Sequence, residues 1–409
     1  MNTNPAECIS ENPWNNRDQL PKVSKLHIIL AVVACLVSAV GLPLCGHAWF
    51  VAPIVALALC GYVAYAARSP FAILVILVTA FSMMMLGIGF AGVAVVLSLI
   101  VGGATLAYLL TVIKPFYFVP LIPLAGCLIV FCVSGDWQLS LLAWFCLPAG
   151  ILLALATVLA KDRTTAICFA AGGLLISLLA LGAAWIYLKT GGVARGQILA
   201  VIDGVKDAIL QQIAPIRDEL FAIAEQTKNP SAMQVAESFA AMYTEETILQ
   251  LMQLIPAVAV VACSVLAFEM QLLLGMTYFS AGLSDYVPKQ ARIFTMSLTA
   301  AVLYCASFLL LLLMPAGSLA AAVTQNASLI LMPGFAVLGI QGLLVSFART
   351  RGGARAFVIL FTVAMLCCAS EMIFYILALW GAYGRITEAI QRKILGKMKE
   401  NGNRPDDEE

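Results

Sequence analysis

Two carboxylates sit inside stretches of sequence that are otherwise apolar: Glu269, in Phe268-Glu269-Met270-Gln271, and Glu371, in Cys367-Cys368-Ala369-Ser370-Glu371. An ionised group in hydrocarbon costs several kcal/mol unless it is neutralised, paired or wetted. No Lys or Arg lies at comparable depth, so each carboxyl, with Gln271 beside Glu269, must be neutral, hydrogen-bonded to a neighbour such as Gln341, or turned toward a water-filled cavity. Groups of this kind serve proton paths, polar-solute binding or structural polar networks. For Glu269 a plainer reading is open, a side chain reaching back to the cytoplasmic interface. For Glu371, near the middle of the run 356–381, that reach is too long.

Other chemistry finds little support. All twelve Cys except Cys8 fall in or at the edge of apolar runs, and none occurs in the polar stretch 190–249, so no disulfide framework is expected. The pair Cys367-Cys368 reads as small, polarizable helix filler ahead of a redox or soft-metal site. His27 and His47 are the only histidines, and neither HExxH nor paired CxxC spacing is present, so no metal or cofactor is expected. The one Gly-Lys pair, Gly396-Lys397, lacks the remainder of a phosphate-binding loop, and no G-x-S-x-G elbow occurs. The expectation is a non-enzyme, and any ATP-driven work would need another chain.

The elements that must hold these carboxyls are membrane helices. Of 409 residues, 62% are hydrophobic and 11% charged, with a mean hydropathy of +0.98. A soluble core of that composition has too few polar side chains to cover its own surface. The net charge of +1 gives no field to attract a nucleic acid. The fold class expected is all-α, a polytopic α-helical membrane protein with about eleven spanning segments: 26–45, 49–66, 70–88, 91–112, 116–134, 138–160, 165–188, 251–275, 293–314, 327–348 and 356–381. The division is a polar tail (1–25), a membrane block of about seven helices (26–189), an acidic insert (190–249), a block of about four helices (250–384) and a basic then acidic tail (385–409).

Lys and Arg in the short loops orient the chain. With the N-terminus in the cytoplasm, Arg68, Lys114, Lys161 and Arg163 fall inside, and so do Lys289, Arg292, Arg349, Arg351 and Arg355. The insert then lies outside. Eleven crossings would put the tail outside as well, whereas its Arg385, Arg392, Lys393, Lys397, Lys399 and Arg404 argue for the cytoplasm, so its side stays open. The stretch 316–348, interrupted by Gln325-Asn326 and Pro333-Gly334, is the place where a re-entrant or broken element would reconcile the two.

The insert carries four Lys/Arg against eight Asp/Glu. Ile198, Ile202, Val205, Ile209, Ile213, Ile216, Leu220 and Ile223 recur at spacings of 4, 3, 4, 4, 3, 4 and 3, one stripe on one helix face. Pro215 should kink that helix. Asn229-Pro230 starts a second helix, bearing Val235, Phe239 and Met242, that is expected to run on into the next membrane segment. The result is an antiparallel helical hairpin of about 30 and 20 residues. It is either a spacer with its stripe buried or a docking or lid element.

The stretches Leu331-Met332-Pro333-Gly334-Phe335 and Gly339-Ile340-Gln341-Gly342-Leu343-Leu344, the basic turn from Arg349 to Arg355, and Leu379-Trp380-Gly381-Ala382-Tyr383-Gly384 together resemble the YybS-like family of bacterial polytopic membrane proteins, a domain of unknown function. The resemblance implies a distant kinship of the N-terminal block with the substrate-binding subunits of energy-coupling-factor transporters. Those subunits meet their coupling partner through small residues at four-residue spacing on the first helix. Ala31, Cys35 and Ala39 match that spacing, with Cys for one Ala, although seven segments precede the insert rather than five or six.

Two functions are thus expected of a bacterial inner-membrane protein in the lipid bilayer. One is binding or transport of a small solute of unknown identity, without an ATPase of its own. The other is a non-transporting scaffold that holds a partner membrane protein through the outer hairpin. No nucleic-acid partner is expected.

Overall fold

The computed structural model describes residues 23–45, 50–66, 70–83, 89–114, 116–283, 294–315, 317–349 and 372–402, and every regular element among them is helical. In chain order these are α1 (Lys25–Leu44), α2 (Val51–Ala66), α3 (Pro70–Met83), α4 (Gly89–Val112), α5 (Leu121–Ser134), α6 (Trp137–Ser140), α7 (Leu147–Val158), α8 (Arg163–Thr190), α9 (Arg195–Thr227), α10 (Pro230–Met242), α11 (Glu245–Gln253), α12 (Ile255–Ser280), α13 (Leu298–Leu313), α14 (Leu319–Arg349) and α15 (Ile373–Gly402). Among the described residues, seven helical stretches are long and apolar enough to cross a membrane. The fold is polytopic and all-α. Shorter apolar helices occupy 51–66 and 298–313, and α3 has 14 residues.

The chain forms two compact units, Met1–Leu181 with Ala262–Thr295, and Gly182–Val261 with Met296–Glu409. In the first, α4 is the hub. Its sequence is apolar all round and carries no charge, which suits a helix enclosed on every side, and α1, α2, α3 and α7 pack against it. Lipid is as apolar as these side chains, so what holds the helices together is close fit. Small residues provide it: Gly102 lies against Ser38 of α1, Gly126 of α5 against Ala39, and Gly173 of α8 against the backbone of Ala149.

The segment expected at 138–160 is interrupted. Asp136 caps α6 by accepting from the Gln138 amide at 2.8 Å, a 3-10 turn covers Leu141–Trp144, and Pro148 opens α7 in its first turn. The opposite holds at 316–348, where a break was the alternative: α14 runs unbroken through Gln325-Asn326 and Pro333. Asn326 needs no break, because its Nδ2 donates to the Gln253 and Ala322 carbonyls at 2.9 and 2.8 Å while its Oδ1 accepts from the Ala257 amide at 3.0 Å.

In the second unit, α13, α14 and α15 enclose Tyr304, Phe335, Ala336, Ala378 and Ala382. At the α14–α15 crossing, Gly339 faces the Leu377 carbonyl and Gly381 faces the Phe335 carbonyl, each too close to admit a Cβ. Three of the stretches that carry the family resemblance therefore meet at this crossing. α15 continues through residue 385 into the tail, where Arg385 donates to the Met296 carbonyl at 2.8 Å and pairs with Glu388 at 2.6 Å.

The insert is three helices rather than two. Asn229 caps α10, accepting from the Ser231 amide at 3.0 Å. The helix does not run on as expected: Thr244 caps a new one, α11, with Glu245 and Glu246 in its first turn, and Leu254 separates α11 from α12.

Candidate functional site: a carboxyl in the core of the first unit

Glu269 lies on α12, eleven residues before its end at Ser280, or about 16 Å at 1.5 Å per residue. The sequence ended this segment near residue 275, which made the interface look closer than it is. The side chain is 1% exposed, so it is enclosed by protein and does not reach to an interface. The hydroxyl of Thr79, on α3, donates to its Oε1, while Oε2 is buried with no hydrogen-bond partner among the described residues. The adjacent Met270 fills the space left by Gly103 of α4, which holds this stretch of α12 in register against the hub.

A cation contacts the neighbouring residues of α12. Asp162 accepts from the backbone amide of Thr165 at 3.2 Å and from its hydroxyl at 2.6 Å, an N-cap arrangement that commits its oxygens to the start of α8. The neighbouring Arg163 instead reaches α12, where Nε donates to Gln271 Oε1 at 2.8 Å and the guanidinium lies 4.9 Å from the Phe268 ring centre.

Two further polar clusters lie on the same helix. His27 bridges Tyr65 at 2.6 Å through Nδ1 and Ser280 at 3.2 Å through Nε2. Ser280 donates onward to the Thr277 carbonyl at 3.0 Å. Tyr278 and Thr111 share a hydrogen bond of 2.7 Å, with Tyr108 packed on the Tyr278 ring at 5.6 Å. α12 is thus the polar spine of the first unit. The arrangement can accept a proton, a cation or a hydrogen-bond donor at Glu269.

A family model described as "Predicted membrane protein (DUF2232)" matches residues 119–382, well over half of the chain. The chain belongs to this family. The function of the family is unknown. No curated protein and no solved structure matches. The DUF2232 region holds the insert, Arg163, Glu269 and Gln271, whereas Thr79 and His27 precede it.

Within this DUF2232 protein the expected site residues separate. Glu269 and Gln271 lie within one turn of α12, and Gln271 is the partner of Arg163. Gln341 is exposed on α14 in the second unit. Glu371, with Cys367 and Cys368, lies outside the described residues. Ala31, Cys35 and Ala39 are buried at 0%, 3% and 7% exposure within the first unit, where α1 packs on α4 and α5, so this face is occupied by the chain itself. Sequence reading missed Thr79, a lone hydroxyl in an apolar run, and treated Arg163 only as a marker of orientation. No local signal pairs either of them with α12.

Proposed function

We propose that the protein binds a small polar or cationic solute at Glu269 within the membrane, and carries it across, without an ATPase of its own. The observation that supports this reading is the Glu269 carboxyl, sealed from solvent with one oxygen fixed by Thr79 and the other unpaired. A polar atom left so in a close-packed core costs about 1–3 kcal/mol, an expense that function explains and packing alone does not. The cytoplasmic N-terminus rests on the loop charges, and placement in a bacterial inner membrane rests on the YybS-like resemblance, which with the energy-coupling-factor kinship belongs to the same proposal. A coupling subunit would have to dock on a face other than the one bearing Ala31, Cys35 and Ala39.

The test is mass spectrometry of what co-purifies with wild type and with Glu269→Ala. A small molecule carried by wild type and lost from the variant is the expected result. Identical small-molecule content in both, together with unchanged growth and uptake phenotypes, overturns the reading.

One observation favours the second reading, a scaffold: the aliphatic stripe of α9 is not covered by its own hairpin. Ile216 and Ile223 are 50% and 46% exposed. For that function, a partner protein would co-purify with wild type and be lost when the stripe is made polar.

A further inference from the structure

The exposed side of α9 has the form of a seam between helices. Ile198, Ile202, Val205, Ile216 and Ile223 are each more than a third exposed, and at 100° per residue they fall in an arc of about 60° along about 37 Å of helix. A surface helix that packs on a broad core shows an apolar arc of about 100° or more, whereas a narrow stripe at alternating spacings of three and four is the mark of a coiled-coil contact. The flank beside the stripe is already taken within the hairpin: α10 packs there, with Ala224 and Ala236 buried, and Lys206 ties α9 to Glu245 of α11 at 2.7 Å.

We propose that this stripe is the contact between two copies of the chain, joining two hairpins into a four-helix assembly outside the membrane segments. Three features select this occupant. A bilayer surface would favour a basic polar face, and α9 carries five acidic residues against three basic ones. Ile at nearly every seam position favours assemblies of more than two helices, which two α9–α10 pairs supply and one added helix does not. The stripe is also self-complementary. From Ile198 to Leu220 its spacings of 4, 3, 4, 4, 3 and 4 read the same in both directions, so aliphatic meets aliphatic whether the two helices run parallel or antiparallel. Two stripes face to face remove on the order of 1,000 Å² from water, the lower limit for a specific interface. Anchorage of both copies in one membrane raises their effective concentration.

The experiment uses the full-length protein in native membranes. Ile202→Cys with Ile216→Cys, in a background without the native cysteines, is treated with a short bis-maleimide. Position 202 meets 202 in a parallel pair and 216 in an antiparallel one, so a crosslinked dimer of this chain is expected in either case. In mild detergent, native mass spectrometry should give a dimer for wild type and for Gln211→Asp, on the opposite face, and a monomer for Ile202→Asp with Ile216→Asp. The cysteine pair keeps the test valid where the charged pair fails to fold. Absence of the crosslinked dimer, a crosslink only to a different protein, or a dimer that persists in the folded double-Asp variant would each overturn the proposal.

Discussion

The Thr79 hydroxyl donates to the Glu269 carboxyl across 190 residues of chain, tying α3 to α12 and leaving Glu269 Oε2 as the open position of the site. Thr79→Val removes that donor and leaves both oxygens unpartnered. It should lower the unfolding free energy by about 2 kcal/mol, within the usual range for an orphaned buried acceptor, read as a drop in thermal midpoint in detergent. Glu269→Gln keeps an acceptor for Thr79, so its midpoint should stay near wild type while solute content falls. Equal midpoints for Thr79→Val and wild type would mean that the hydrogen bond is not made in the protein.

Gly339 and Gly381 are points of close approach between α14 and α15, each facing a carbonyl oxygen of the other helix. Backbone cannot turn aside as a side chain can, so Gly381→Leu should separate the helices. The expected cost is at the upper end of the 1–3 kcal/mol range for overpacking, about 3 kcal/mol. Gly384→Ala, on the same helix with open space around it, should instead gain about 0.5–1 kcal/mol from helix propensity. Thermal unfolding of the two variants side by side checks both directions.

Lys206 and Glu245 form an ion pair of 2.7 Å that tethers α9 to α11. The hydrogen bond from Lys206 holds the Glu245 carboxyl below its ordinary 4.5, and the bond to Glu245 raises the Lys206 ammonium above its ordinary 10.5. A lowered carboxyl contributes fully above its ordinary value, and that contribution is lost as pH falls through the lowered one. A raised ammonium contributes fully below its ordinary value, and its share is lost as pH rises through the raised one. The tether is therefore at full strength between pH 4.5 and 10.5. Amide exchange in α11, corrected for the intrinsic effect of pH, should quicken below that window in wild type. In Glu245→Gln the acid limb should be flat, and added salt should weaken the wild-type tether.

Gln226 is exposed near the end of α9. With the N-terminus in the cytoplasm, a single cysteine placed there in a background stripped of native Cys should react with an impermeant thiol reagent in intact spheroplasts. Labelling that needs lysis would invert the topology.

Hydropathy and periodicity are properties of windows of about twenty residues, and what depends on them was readable in the sequence: an all-α polytopic membrane fold, the place of the insert, the Asn229 cap and the register of the α9 stripe. What depends on a partner far along the chain was not. That Glu269 is enclosed rather than drawn to an interface follows from α12 continuing to Ser280 and from Thr79 arriving on α3. That the helix through Asn326 is unbroken follows from the Gln253 and Ala322 carbonyls and the Ala257 amide meeting its side chain. That the α9 stripe stays exposed follows from α10 packing on one flank of it. Each is decided by which helix faces compete for the same contact, and in lipid that choice turns on shape and a few hydrogen bonds, to which the average polarity of a segment is blind.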